Sequence, residues 1–120
     1  MNIFYLHHSP YIAAKVQYNK HVVKMILESA QMLCTAHHVY GNEEQKLYVP
    51  YKKAHLNHPS TIWTRQCRAN YRWLYLHMLA LGYEYTKRYG KVHASIVKCK
   101  KFLNIPPVHI PDGDFCEPPQ

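Results

Sequence analysis

The sequence predicts an all-α protein: a small irregular helical bundle with a short extended lead-in at its N-terminus and a proline-rich C-terminal tail. Two long segments, residues 19–38 and 60–89, carry apolar residues at helical spacing. Residues that cap or stop helices, among them Ser9 and Gly90, stand at the ends of the helical segments. We assign residues 1–103 to a single helical domain, since 120 residues form one core, and residues 104–120 to the tail.

The first part of the chain divides into a lead-in and two helices. The stretch NIFYL has the aromatic and branched content of a short strand or an extended lead-in. Ser9 before Pro10 predicts an N-cap with proline at the first helical position, in a short helix that runs to about Val16. The first long helix starts at about Asn19, which can cap it, and ends at about His38, before a turn over YGNEEQ.

The rest of the chain holds shorter elements around a second long helix. The stretch KLYVPYKKAHLNHPS is interrupted by prolines and contains no long helix. After Pro59 the pattern is helical, with Ser60 or Asn57 as the N-cap, and a break near Gln66 or Cys67 would divide it into a short and a long helix. Gly90 stops this segment, ASIVKCKKFL forms a further short helix, and the tail NIPPVHIPDGDFCEPPQ is loop or extended.

The first long helix has few polar residues, and they are aligned. On a helical wheel they fall within an arc of roughly 100°. Apolar residues fill nearly all of the remaining circumference, so we expect the helix to be buried on most sides. The polar stripe is then either a narrow solvent-exposed seam or the floor of a cleft. Its members are Lys20, His21, Lys24, Glu28, Gln31, Thr35 and His38.

The second long helix has a polar stripe of its own, within an arc of roughly 60°. If the two helices pack together, the stripes could face one cleft, with His21, Lys24 and Glu28 on one side. The alternative is that Glu84 with Arg88, and Lys24 with Glu28, are ordinary ion pairs at i,i+4 on solvated surfaces. The members of the second stripe are Gln66, Asn70, Trp73, His77, Glu84 and Arg88.

Positive charge is concentrated in the middle of the chain. The formal net charge is +8, and residues 45–111 hold 12 Lys and Arg against one acid, Glu84, which leaves +11 on that stretch. Such an excess favours a polyanionic partner, because each cation that neutralises a phosphate releases counterions. A basic protein with no nucleic-acid role is the alternative. The 11 tyrosines and 10 histidines suit a hydrated stacking surface.

The sequence shows neither a membrane span nor a secretion signal. No apolar run approaches the roughly 18 residues that cross a bilayer, and MNIFYLHHSP lacks the charged and apolar regions of a signal peptide. We therefore expect a cytoplasmic protein, in the host cytoplasm if a phage encodes it. The four cysteines lie far apart without a C-x-x-C pair, which predicts reduced packing residues.

Two short motifs suggest binding chemistry. In HLNHP, His55 and His58 could hold a metal with a third ligand, or His58 and Asn57 could cap the following helix. The stretch WTRQCRANYRWLY interleaves arginines with tryptophans and tyrosines. Arginine binds phosphate through paired hydrogen bonds, and aromatic faces accept an unstacked base, although these aromatics could equally belong to the core.

Several of these stretches together resemble a known family. The start MNIFYL, the run NKHVVKMILESAQML, the NHP followed by IW, and NYRWLY leading to EYTKRYGKVH resemble a family of small phage-encoded proteins. That family is similar to the pyrimidine-dimer DNA glycosylases of the phage endonuclease V type. The nearer resemblance covers most of the chain. The nearer relatives continue past EPPQ with a further basic, aromatic segment, so we expect this chain to be either a fragment or a shortened version.

The resemblance implies an all-α enzyme that removes one base of an ultraviolet photodimer without a cofactor. In that family an N-terminal amine attacks the sugar C1′ to form an imine, a glutamate on the first long helix stabilises the intermediate, and basic residues hold a kinked duplex. The family's glutamate position falls on His21 and its nearby arginine on Lys24, so Glu28 takes the carboxylate role one or two turns further on. Because Asn2 is too large for efficient removal of Met1, the amine is that of Met1.

These inferences define a candidate catalytic set and a candidate DNA-binding set, with double-stranded DNA as the partner and a flipped or damaged base as the target. The competing hypotheses are a non-catalytic phage interaction protein on the same fold, and a metal-dependent hydrolase using His21, His55 and His58. The catalytic set is Met1, Asn2, His21, Lys24 and Glu28, and the DNA-binding set is Lys20, Asn57, His58, Trp63, Arg65, Arg68, Asn70, Arg72, Trp73 and Arg88.

Overall fold

The computed structural model describes Ile3 and residues 7–119, and within them the protein is all-helical, as the sequence predicts. The predicted lead-in NIFYL lies outside the described residues except for Ile3, which is buried. Residues 104–119 contain neither helix nor strand. The helices, in order, are α1 (Pro10–Lys15), α2 (Asn19–Tyr40), α3 (Glu43–Tyr48), α4 (Pro59–Gln66), α5 (Arg68–Tyr89) and α6 (Ala94–Leu103).

The two long helices, α2 and α5, pack against each other at the centre of the molecule. Around this pair, α1 packs on α5, while α3, α4 and α6 contact α2. The expectation that α2 is buried on most sides is therefore confirmed. Its buried apolar side chains run along almost its whole length: Val22, Met25, Ile26, Ala30, Met32, Leu33, Cys34 and Ala36.

Local sequence signals set several helix ends as predicted. The Ser9 side chain accepts a hydrogen bond from the backbone N–H of Ile12 and caps α1, with Pro10 at the first helical position. Cys67 is extended, with φ −157° and ψ 164°, and separates α4 from α5. Gly90 ends α5 in the left-handed conformation, with φ 72°, which glycine adopts without steric cost.

The predicted N-cap of α2 and the predicted turn after α2 are wrong, while one of the predicted N-caps of α4 is confirmed. Tyr18, not Asn19, is the N-cap of α2. The turn expected over YGNEEQ continues into α3, because Asn42 and Gln45 form a capping box in which each side chain bonds the other's backbone N–H. The N-cap of α4 is His58, one of the two residues of HLNHP proposed to cap this helix, rather than Ser60 or Asn57.

Histidines cap local backbone in a repeated way. The Nδ1 atoms of His7, His58 and His93 each accept a hydrogen bond from the backbone N–H two residues later, at 2.9, 3.1 and 3.0 Å. Two further histidines, His37 and His77, are fully buried. Part of the histidine surplus therefore serves the fold rather than a stacking surface.

The C-terminal segment packs back onto the helices. The backbone N–H of Arg68 donates to the Pro111 carbonyl at 2.9 Å, and the indole Nε1–H of Trp63 donates to the Cys116 carbonyl at 2.9 Å. All four cysteines are free thiols, and Cys116 is the exposed one. No helix in the described part of the chain is long and apolar enough to span a membrane.

Candidate nucleic-acid interface

The C-terminal half of the polar stripe on α2 is structural. The Thr35 hydroxyl donates to the Ala54 carbonyl at 2.9 Å and accepts from the Ala54 N–H at 3.0 Å. One turn further on, the His38 ring bonds the Tyr51 carbonyl through Nε2 at 2.9 Å. These contacts fix residues 51–54 along α2, so this half of the stripe is neither an open seam nor the floor of a cleft.

The N-terminal half of the stripe surrounds a recessed carboxylate. The Glu28 side chain is 13% exposed, and its Oε2 lies 3.7 Å from Nζ of Lys24, which is 64% exposed. Glu28 Oε1 is buried and has no hydrogen-bond partner among the described residues. An unpaired buried polar atom costs roughly 1–3 kcal/mol, and more when it carries charge. The oxygen therefore has an unmet requirement for a cation or a hydrogen-bond donor.

A hollow on the same half of α2, which Glu28 itself does not bound, adds positive charge. It has a volume of about 350 Å³ and is bounded by Leu27 and Gln31 of α2 and by residues 51–54. Lys52 and Lys53 belong to this boundary and are exposed. Neither lysine belongs to the predicted DNA-binding set. Two adjacent lysines in a segment limited by prolines are the sequence feature that could have indicated this cationic surface.

His21 and Lys20 lie at the start of α2. Lys20 is exposed, while His21 is half-buried and packs its ring edge-to-face against Tyr18, with the ring centres 6.0 Å apart. Three of the predicted catalytic residues therefore lie on one surface of α2, namely His21, Lys24 and Glu28. Lys20, from the predicted DNA-binding set, lies on the same surface. The other two predicted catalytic residues, Met1 and Asn2, lie outside the described residues.

The polar stripe of α5 does not form the other wall of a shared cleft. His77 is fully buried, with Nδ1 2.9 Å from the Pro10 carbonyl and Nε2 3.0 Å from the side-chain nitrogen of Gln17. Burial lowers the pKa of His77 to about 4, which keeps the ring neutral. The stripe therefore binds α1 and the α1–α2 junction.

Arg88, predicted to bind DNA, holds that junction instead. Its guanidinium donates to the carbonyls of Gln17 and Lys15 at 3.0 and 3.2 Å, and to Asn19 Oδ1 at 2.9 Å. It also pairs with Glu84 at 3.0 Å, in an ion pair that is mostly buried. These contacts use four of the five N–H donors of Arg88, so its main role in the free protein is structural.

The predicted aromatic platform is covered by the protein itself. Trp63 and Trp73 are 3% and 7% exposed, and the Phe115 ring packs against both, with ring centres 6.0 Å apart in each case. Asn70 is fully buried and donates to the Trp63 carbonyl, while its Oδ1 accepts from the Cys116 N–H. These three residues hold the tail in place and offer no open ring face to a base in this conformation.

The three arginines of the same stretch have different surroundings. Arg65 of α4 is half-buried, and its Nη1 has no hydrogen-bond partner among the described residues. Arg68 pairs with Asp112 of the tail at 3.3 Å. Arg72 donates to Asn104 Oδ1 at 3.4 Å, and its guanidinium carbon lies 5.8 Å from the centre of the Tyr75 ring.

The histidine-based metal site is not formed. Across Ile3 and residues 7–119, no group of three or more His, Cys, Asp and Glu side chains is placed to hold a metal ion. His58 uses Nδ1 to cap α4, and His55 has a positive φ of 51° in the turn that precedes it. Asn57 is exposed in the same turn. His21, His55 and His58 therefore do not form the site required by a metal-dependent hydrolase.

Comparison of the chain with models of protein families, with curated proteins and with solved structures found no match.

Proposed function

We propose that the protein binds double-stranded DNA in the cytoplasm and acts on damaged or modified nucleotides as a glycosylase and AP lyase, with Glu28 as its catalytic carboxylate. The observation that carries the proposal is the Oε1 atom of Glu28, which is buried and has no hydrogen-bond partner among the described residues. Glu28 lies in the N-terminal half of α2, the more exposed half of this helix. Most buried polar atoms in native proteins are hydrogen-bonded, so a buried carboxylate oxygen without a partner calls for an explanation, and a bound substrate supplies one. A carboxylate in this position stabilises positive charge that forms on a bound substrate.

The proposed chemistry follows from an amine nucleophile and this carboxylate. The neutral N-terminal amine attacks C1′ of the nucleotide, and the bond from C1′ to the base breaks. The base leaves with the bonding electrons and takes up a proton. Opening of the sugar ring then gives a protonated imine between protein and C1′, whose positive charge the Glu28 carboxylate stabilises. An α-amine with a pKa near 8 is partly neutral at pH 7, so it can act as the nucleophile.

Lysines around Glu28 supply the contacts to DNA in this proposal. Lys20 and Lys24 of α2, and Lys52 and Lys53 at the hollow bounded by Leu27 and Gln31, are all exposed. Cations on this surface neutralise backbone phosphates.

Borohydride trapping tests the proposed reaction. Hydride adds to the imine carbon and converts the imine to a stable secondary amine, so protein and DNA become covalently linked. We expect an adduct with duplex DNA that contains an abasic site or ultraviolet photoproducts, and none after acetylation of the N-terminal amine. Folded protein that gives no adduct with either substrate would refute the lyase mechanism.

A matched pair of variants tests the role of Glu28. Glu28→Gln removes the carboxylate, and Glu44→Gln makes the same charge change at an exposed residue of α3. We expect Glu28→Gln to lose at least about tenfold in the rate of adduct formation, since transition-state charge stabilisation is worth that or more. Glu44→Gln should retain the rate. Equal rates for the two variants would remove Glu28 from the mechanism.

The lysine contacts are tested by the salt dependence of binding. Lys52→Gln with Lys53→Gln should reduce the slope of log affinity against log salt by about 2, since each phosphate contact contributes about 0.9. The control is Lys87→Gln with Lys91→Gln, one in the last turn of α5 and one just after it, which changes the net charge equally. Binding that does not weaken as salt rises would favour a non-catalytic interaction protein instead.

A further inference from the structure

A second cationic hollow lies away from Glu28, between α5 and the C-terminal tail. It has a volume of about 430 Å³ and is bounded by Arg68, Ala69 and Arg72 of α5 and by Pro106, Asp112 and Gly113 of the tail. Arg68 Nε lies 3.3 Å from Asp112 Oδ1. Arg72 forms no ion pair among the described residues and is oriented by Asn104 and the Tyr75 ring.

Backbone contacts on both sides hold Asp112 at this hollow. The Pro111 carbonyl accepts from the Arg68 N–H at 2.9 Å, and the Asp114 carbonyl lies 3.4 Å from the Cys67 thiol. Between them, Gly113 approaches so closely that a Cβ there would lie 3.0 Å from Cys67 Cβ. The Asp112 side chain is nevertheless 93% exposed. Its position is fixed by the backbone, while its carboxylate remains hydrated and can be displaced at little cost.

We propose that this hollow binds a backbone phosphate of the DNA and that Asp112 occupies the phosphate position in the free protein. A carboxylate beside one arginine, with a second arginine lacking an anionic partner, is the arrangement that a phosphate with its several acceptor oxygens satisfies better. The choice of DNA as the source of the phosphate rests on the proposed function. Asp112 is then an internal competitor for the duplex.

A neighbouring hollow extends the path that the bound strand would follow over the surface. It has a volume of about 350 Å³ and is bounded by Tyr75, Leu79, Lys100, Lys101 and Asn104. Asn104, which bonds Arg72, lies at its edge. These two hollows, each with two cations, extend the proposed phosphate-binding surface along α5 and α6.

The test compares Asp112→Asn with Asp114→Asn. Both variants raise the net charge by one, both residues are exposed, and Asp114 forms no ion pair among the described residues. Exposed ion pairs are weak, so we expect Asp112→Asn to bind a short undamaged duplex about 2–5-fold more tightly than Asp114→Asn at low salt. The difference should vanish at high salt, because salt screens exposed charges.

A second substitution locates the effect. In an Arg68→Gln background, binding should weaken and the advantage of Asp112→Asn over Asp114→Asn should disappear, because Asp112 pairs with Arg68. Equal affinities for the two aspartate variants, or an advantage that survives Arg68→Gln, would overturn the proposal. Fluorescence anisotropy gives the affinities, and far-UV circular dichroism confirms that each variant is folded.

The outcomes also separate this inference from the proposed function. A covalent adduct together with equal affinities for the aspartate variants would leave the glycosylase in place and overturn the phosphate hollow. An advantage of Asp112→Asn without any adduct would support the hollow and overturn the lyase. Absence of salt-dependent DNA binding would overturn both.

Discussion

Mild acid should destabilise the fold through two buried histidines, His77 and His37. His77 is neutral in the folded protein: its contacts fit a ring that donates from Nδ1–H to the Pro10 carbonyl and accepts at Nε2 from the Gln17 amide. Burial lowers its pKa to about 4. Protonation of Nε2 would place a new N–H against the Gln17 amide hydrogens inside the core.

His37 has an equivalent environment between α2, α5 and α6. The Tyr71 hydroxyl donates to the Leu103 carbonyl at 2.8 Å, so the same oxygen accepts from His37 Nε2–H at 2.9 Å. Burial, and secondly the neighbouring His38, lower the pKa of His37 to about 4. The aromatic rings of Tyr71 and Phe102 lie 5.7 and 4.9 Å from the imidazole and leave little water to stabilise a charge.

The size of the effect follows from proton linkage. An unfolded histidine has a pKa near 6.5, so the unfolded chain takes up these protons first and stability is lost as the pH falls from about 6.5 to about 4. Each histidine should cost about 2 kcal/mol between pH 7 and pH 5, and the two together about 4 kcal/mol. This is a large share of the roughly 5–15 kcal/mol that stabilises a typical domain.

Urea unfolding followed by far-UV circular dichroism at several pH values measures this loss. His77→Gln should lower stability at pH 7 but remove about half of the pH dependence, because one of the two titrating groups is gone. His109→Gln changes an exposed histidine and should leave the pH dependence unchanged. A free energy of unfolding that is constant between pH 7 and pH 5, or an unchanged dependence in His77→Gln, would refute the reasoning.

Substitutions at three further residues test structural assignments by thermal or urea unfolding. Arg88→Met should lower the free energy of unfolding by about 2–3 kcal/mol, because it leaves Glu84 mostly buried without its cation. Arg88→Lys should restore only part of this stability, since lysine lacks the planar donor fork. Full stability in both variants would contradict the role of Arg88 at the junction. Gly90→Ala should cost about 1 kcal/mol, because φ 72° is unfavourable for alanine. Thr35→Val should cost about 1–3 kcal/mol, because both polar groups of Ala54 lose their partner; no loss would show that water replaces the hydroxyl.

Helix ends were predictable from the sequence where the signal is local. Ser9 with Pro10, and Gly90, act through conformations and hydrogen bonds within one helical turn, and the sequence alone contains that information. The capping box of Asn42 and Gln45 was equally local, but its asparagine follows a glycine and resembles a turn. It was missed because turns and helix N-termini favour the same residues.

The partners of the polar stripes were not predictable, because they lie far apart in the sequence. A helical wheel identifies residues that share a face and does not identify what that face meets. His77 and Arg88 bond backbone carbonyls of residues 10–17, some 67 to 73 positions earlier in the chain. A polar stripe that satisfies buried carbonyls therefore has the same sequence pattern as one that lines a cleft.

Hydrogen-bond accounting along α2 separates structural residues from candidate functional ones. Thr35 satisfies the Ala54 backbone, whereas Glu28 keeps a buried oxygen without a partner and gains only an exposed lysine at 3.7 Å. Glu28→Gln should therefore leave the free energy of unfolding unchanged or raise it, by up to about 1 kcal/mol, while it reduces adduct formation. Thr35→Val should do the reverse, with lower stability and unchanged activity per folded molecule. A loss of stability of 2 kcal/mol or more in Glu28→Gln, about what a broken buried interaction costs, would show that this carboxylate is structural.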